Sequence, residues 1–115
     1  MKKLKYSVLV RQKMKRLKEH LIKEFGDDIT KKVLKGITDD ADILKEYERS
    51  GVNIAKMYNI DTDYWYLFTH QHYLIYRFDE KSVIIVQMFH EREDFMMKLF
   101  GISGRTQESI DYWGE

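Results

Sequence analysis

From His72 to Asp94 the chain reads His-Tyr-Leu-Ile-Tyr-Arg-Phe-Asp-Glu-Lys-Ser-Val-Ile-Ile-Val-Gln-Met-Phe-His-Glu-Arg-Glu-Asp, and no other stretch so narrows what the rest can fold into. Two runs rich in β-branched and aromatic residues, Tyr73–Phe78 and Val83–Phe89, flank the polar tetrapeptide Asp79, Glu80, Lys81 and Ser82. This is the signature of an antiparallel hairpin closed by a tight turn. Pairing the runs around that turn brings His72 opposite His90, because each lies about eight or nine residues from the turn centre. The second run ends in an ionisable cluster, His90, Glu91, Arg92, Glu93 and Asp94, which a strand end delivers to one edge of a sheet.

A chain of 115 residues has the length of one domain, and with 43% hydrophobic and 14% aromatic residues it can bury a core. It contains no cysteine, so a disulfide framework and a thiolate zinc site are both excluded, and no metal or other cofactor is expected. The basic start Met1–Lys5 is followed by no long apolar segment, and no run approaches the ~18 apolar residues of a membrane span. The expectation is a cytoplasmic protein with no membrane partner. Its net charge of +1 hides a split: residues 1–35 hold twelve Lys or Arg against four Asp or Glu, and residues 36–115 hold eight against fifteen. A basic first third suits phosphate or an acidic partner, and it equally suits a solvated lysine-rich helix face.

Tyr6–Val10 has the length and β-forming residues of a first strand. From Arg11 the period changes: Met14, Leu17, Leu21 and Phe25 form one stripe, with Lys13, Lys15, Arg16, Lys18 and Lys23 on the other faces. This predicts an amphipathic helix ending at Gly26, with Asp27 or Asp28 capping the next. That second helix carries Ile29, Val33, Ile37, Ala41 and Leu44, and stops by Gly51. Gly36 inside it weakens a helix by roughly 1 kcal/mol relative to alanine, which implies a close contact or a bend there. A linker this short folds the helices back as an antiparallel pair.

Residues 51–63 read as an irregular crossing with at most one short turn. Tyr64–Phe68 then reads as a strand, His70–His72 as its connection to Tyr73–Phe78, and Phe95, Met96, Leu99 and Phe100 as a last short helix ending at Gly101. The tail 102–115 has no period and frays unless Trp113 docks in a groove. The expected fold class is α+β: an N-terminal strand, an antiparallel helical hairpin packed on a small twisted antiparallel sheet, and a short C-terminal helix, with residues 1–101 as the single domain.

That order, with Tyr73-Leu74-Ile75-Tyr76-Arg77-Phe78, Val83-Ile84-Ile85-Val86 and the ending His90-Glu91-Arg92-Glu93-Asp94, resembles the RelE/ParE superfamily, the bacterial toxins of type II toxin–antitoxin pairs. The ending is similar to the His-x-Arg-x-Asp of its plasmid-stabilisation members. The resemblance implies a cognate antitoxin, a small acidic protein encoded by a neighbouring gene, bound in a groove between the helical pair and the sheet. It also implies one of two targets. Some members are ribosome-dependent messenger RNA endonucleases, in which a general base, a general acid and cations act on the 2′-hydroxyl and its phosphate. Others inhibit DNA gyrase without catalysis.

As an endonuclease the chain would use His90, Arg92, His72 and His70 as its catalytic candidates, since an imidazole serves as acid or base near neutral pH. Lys13, Arg16, Lys23 and Arg77 are the candidate phosphate contacts. The endonuclease is the expectation at this level, because a histidine and an arginine at one strand end, opposite two more histidines, exceed what a binding surface needs. Gyrase inhibition is the alternative, because of the His-x-Arg-x-Asp ending, because Tyr73 stands at the position, just after the strand's opening residue, where many RNA-cleaving members have an arginine, and because Phe95-Met96-Met97 stands where a catalytic tyrosine is found. An inactive homologue kept as a binding module is the third. Asp94 is expected to cap the last helix, and Tyr64-Trp65-Tyr66 to be core or antitoxin contact rather than a base-stacking platform.

Overall fold

The structure, a computed structural model, describes residues 1–101; the tail and Trp113 lie outside the described residues. The chain opens on β1 (Lys3–Tyr6) and turns at Ser7 into α1 (Val8–Phe25). The strand expected at Tyr6–Val10 is therefore displaced, for Val8, Leu9 and Val10 are helical. The reason is Ser7, whose Oγ accepts the Val10 N–H at 3.1 Å and satisfies one of the free donors of the first turn. Helical spacing also buries Val10 completely, extending the stripe to Val10, Met14, Leu17 and Leu21. Local β preference is weaker than a cap and a buried contact combined.

Gly26, at φ +85, ends α1 and begins α2 (Asp27–Asp42). Neither Asp27 nor Asp28 takes the expected cap position. Both lie in the first turn, where their charge favours the helix dipole, and the Thr30 hydroxyl donates to the Gly26 carbonyl at 2.7 Å. A 3-10 turn at Ile43–Lys45 prolongs the stripe to Leu44. The segment expected to be irregular carries two short elements, β2 (Val52–Asn53) and α3 (Ile54–Tyr58). Asn53 caps α3 by accepting the Lys56 N–H.

Three strands follow, β3 (Trp65–Thr69), β4 (His72–Phe78) and β5 (Ser82–His90), and then α4 (Phe95–Phe100). Asp94 caps α4 as expected, accepting from Met97 N at 3.1 Å. The Asp79 carboxylate closes the β4–β5 turn by accepting the Lys81 and Ser82 N–H groups, which hold its pKa below the usual range.

The sheet has five strands in the order β1-β5-β4-β3-β2. Its β2–β3, β3–β4 and β4–β5 pairs are antiparallel, but β1 runs parallel to β5, so the sheet is mixed rather than the antiparallel one expected. The helical hairpin that follows β1 supplies the long connection a parallel neighbour requires. The α+β class and the packing of the helical hairpin on the sheet stand.

One irregularity decides where the strand end points. Tyr76 pairs with Ile85 but Ile75 pairs with Gln87, so β5 carries an extra residue at Val86. Before it Val83 and Ile85 face the helical hairpin; after it Met88 does, and Phe89 turns to the other side. The start of α1 holds the bulge, with the Ser7 hydroxyl donating to the Val86 carbonyl and Lys13 Nζ to Gln87 Oε1 and the Met88 carbonyl. Two cores result. Val10, Ile37, Ala41, Leu44, Leu74 and Tyr76 pack between hairpin and sheet, while Ile54, Ile75, Phe89, Phe95 and Met96 pack under α3 and α4. The aromatic run divides between them: Trp65 meets Tyr76 and Phe78, and Tyr66 meets Tyr73 and Phe95.

Candidate functional site

The β3–β4 turn and the end of β5 meet beside α1. His70 and Gln71 form a two-residue turn with φ +47 and +66, the left-handed pair that matches strand twist in a tight hairpin. His72 then begins β4 and pairs directly with His90. Because β4 alternates faces, His72 shares the hairpin side with Leu74 and Tyr76, and the bulge in β5 brings His90 to the same side. The two rings lie 5.3 Å apart between centroids, edge to face.

Each ring is oriented by backbone. His72 Nδ1 lies 2.8 Å from the His70 carbonyl, which can only accept, so this nitrogen carries a proton and Nε2 offers a lone pair. His90 Nδ1 accepts the Arg92 N–H at 3.1 Å, so in the neutral ring the proton sits on Nε2. One imidazole is thus set to accept and its neighbour to donate. Burial lowers the pKa of His72, the bond to the His70 carbonyl opposes this, and His90 lowers it further.

The pair lines a pocket of about 210 Å³ with Lys13, Arg16, Leu17, Met88 and Glu93. Lys13 is bound by Gln87 Oε1 at 2.7 Å and the Met88 carbonyl at 2.8 Å, and burial lowers its pKa. Its ammonium anchors α1 to the bulge. Burial would raise the Glu93 carboxyl, but Lys98, at 3.0 Å, the backbone at His90 and the Lys13 charge together outweigh it and the net shift is downward. Gln87, Glu93 and Gln71 were not among the sequence candidates, for a glutamine in a strand and an acid in a charge cluster carry no distinguishing signal.

The other candidates lie apart from this pocket. His70 turns toward α2: its Nδ1 is 2.9 Å from Thr69 Oγ1, which donates to Asp40 at 2.6 Å, and its ring rests on Gly36. That contact is the one the glycine implied. Arg92 is exposed and contributes its backbone N–H to the pair. Arg77 is exposed and lies on the face of β4 opposite His72, and Lys23 lies in the last turn of α1, about 10 Å beyond Arg16 by helical rise.

A second cavity of about 480 Å³ adjoins the first along α1 and α2, lined by Leu17, Leu21, Phe25, Ile29, Val33, His70, Gln71 and His72. Phe25 is 57% and Ile29 47% exposed, so the hairpin leaves an apolar surface open beside the sheet edge. This is the groove expected between the helical pair and the sheet. Among the described residues no cluster of His, Asp or Glu could hold a metal ion, and no helix is long and apolar enough to cross a membrane.

Residues 4–95 match the family described as the ParE toxin of the type II toxin–antitoxin system parDE. Among solved structures the chain is similar to one titled "Chromosomal ParDE TA system from P. aeruginosa". The likeness has a TM-score of 0.65 at 14% identity, over 78% of this chain and 96% of that one. No curated protein matches by sequence.

Proposed function

Since the chain belongs to the ParE toxin family of type II toxin–antitoxin systems, we propose that it arrests growth by binding DNA gyrase rather than by cutting RNA. Its partner is a cognate antitoxin, and the apolar groove of Leu17, Leu21, Phe25, Ile29 and Val33 is the surface we assign to it. The observation that carries the choice of target is the scatter of the cations. Cleavage of a phosphodiester by its own 2′-hydroxyl needs positive groups converging on the developing phosphorane. Here Lys13 is tied to Gln87 and Met88, Arg77 is on the opposite face of the sheet, and Lys23 lies about 10 Å beyond Arg16 along α1. Arg16 alone of the four expected phosphate contacts lines the pocket without a bonded partner among the described residues.

A second reading rests on a different observation. His72 with its Nε2 lone pair beside His90 with its Nε2 proton is the pairing that general base and general acid catalysis of RNA cleavage needs, and it keeps the messenger RNA endonuclease as the alternative. The readings separate in one experiment. The toxin is induced in cells, messages are mapped by primer extension, and purified toxin is added to a gyrase supercoiling assay. We expect supercoiling to be inhibited and messages to stay intact. Cleavage within codons that disappears in His90→Ala, with supercoiling unaffected, would establish the endonuclease instead.

A further inference from the structure

We propose that Arg16, His72 and His90 form a carboxylate-anchoring subsite at the end of the apolar groove, and that it holds an acidic residue of the antitoxin segment lying in that groove. The inference rests on the reading of the groove given above.

The two cavities are continuous. Leu17 and His72 line both, so a segment laid with its apolar side on Leu21, Phe25, Ile29 and Val33 reaches the polar pocket at Leu17. What it meets there is positive. Lys13 and Arg16 come from α1, and the one acid lining the pocket, Glu93, is paired with Lys98 of α4. A partner of opposite charge follows from this balance, as from the basic character of residues 1–35.

Both rings can donate to an oxyanion once His72 is protonated. Both turn Nδ1 to backbone, which leaves Nε2 as the ring nitrogen open to a ligand. Neutral His90 already carries a proton there. His72 becomes a donor by taking one proton from solvent onto Nε2, which breaks none of its existing bonds. The subsite therefore takes up one proton, at His72, when a carboxylate arrives. The charged groups facing that ring are Lys13 and Arg16 from α1 and Glu91 and Glu93 from the turn after β5, with His90 beside it. In the free protein burial disfavours the charged ring, and an incoming carboxylate reverses that preference.

The test uses the full toxin and the antitoxin that co-purifies with it, with affinity measured by titration calorimetry from about pH 8 to about pH 6, in two buffers of different ionisation enthalpy. We expect Kd to fall with pH, by up to about tenfold per unit for one linked proton, with proton uptake read from the buffer dependence. His72→Gln should flatten that profile, and Arg16→Gln should weaken binding throughout. Should His72→Gln not fold, the exposed Arg16→Gln together with the wild-type pH profile decides the matter. A Kd that is unchanged across that range overturns the subsite, while a complex that still forms leaves the toxin reading standing. If toxin and antitoxin do not associate at any pH, both fail.

Discussion

The imidazoles of His72 and His90 face one another across an antiparallel strand pair with ring centroids 5.3 Å apart and planes at 90°. Burial, first of all, and then His90 keep His72 below the ordinary imidazole range despite its bond to the His70 carbonyl. As pH falls, the unfolded chain therefore binds a proton at this residue before the folded one does. The stability contributed by neutral His72 is present above about pH 6.5 and is lost on descent below it. Thermal unfolding of the free toxin should show a melting temperature that drops on acidification below this point. The drop should be smaller in His72→Gln. A ring resonance of His72 that titrates above 6.5 in the free protein would contradict this.

Gly36 and His70 make the second prediction. A methyl group at Gly36 would run into the His70 ring. Alanine should be destabilising by about 1–3 kcal/mol through overpacking, although it gains about 1 kcal/mol in helix preference. His70→Ala removes the obstruction, so in that background Gly36→Ala should be neutral or stabilising. Urea unfolding of the four proteins in the cycle reads the coupling directly.

Ser7 joins two elements, for its Oγ accepts from Val10 N and donates to the Val86 carbonyl. Ser7→Ala should destabilise by about 1–2 kcal/mol, as loss of a helix cap does. Since the Val86 bond sits at the bulge, the same substitution should also move the His90 ring resonance. An unmoved resonance would mean that the bulge is held without Ser7.

Tyr6 and Tyr76 have pKa values raised to about 12 by burial. Tyr76 is completely buried, with its hydroxyl donating to the Glu48 carbonyl at 2.7 Å and accepting the Gly51 N–H at 3.2 Å. Above about pH 10 the unfolded chain releases these protons while the folded chain keeps them, so stability falls between about pH 10 and about pH 12. Tyr76→Phe should lower stability near neutral pH by about 1–2 kcal/mol, because the Gly51 N–H and Glu48 carbonyl lose their partner. It should also reduce the alkaline slope by one proton, measured by denaturant titration at stepped pH.

The residues themselves determined the hairpin of β4 and β5, its turn, the antiparallel α1 and α2 and the stop at Gly26. Those follow from short-range periodicity and from distances counted along the chain, which need no knowledge of distant contacts. Two features near the start and middle were not legible. Tyr6–Val10 has strand composition, and only the cap at Ser7 and the burial of Val10 make its second half helical. β2 and α3 are too short to show a period at all.

The candidate site was decided by the tertiary structure. Strict alternation from Val83 and Ile85 would turn Phe89 toward the helices and His90 away from them, and the extra residue at Val86 reverses this. Nothing in Val83–Phe89 marks that residue, because the bulge is stabilised by Ser7 and Lys13, more than seventy positions earlier in the chain. The same dependence separated the candidate histidines. His70 and His72 are two positions apart, yet the left-handed turn at His70 and Gln71 sends one ring to Gly36 and Thr69 and the other to His90. A sequence specifies which groups a strand end carries; the side they face is set by what packs against the strand.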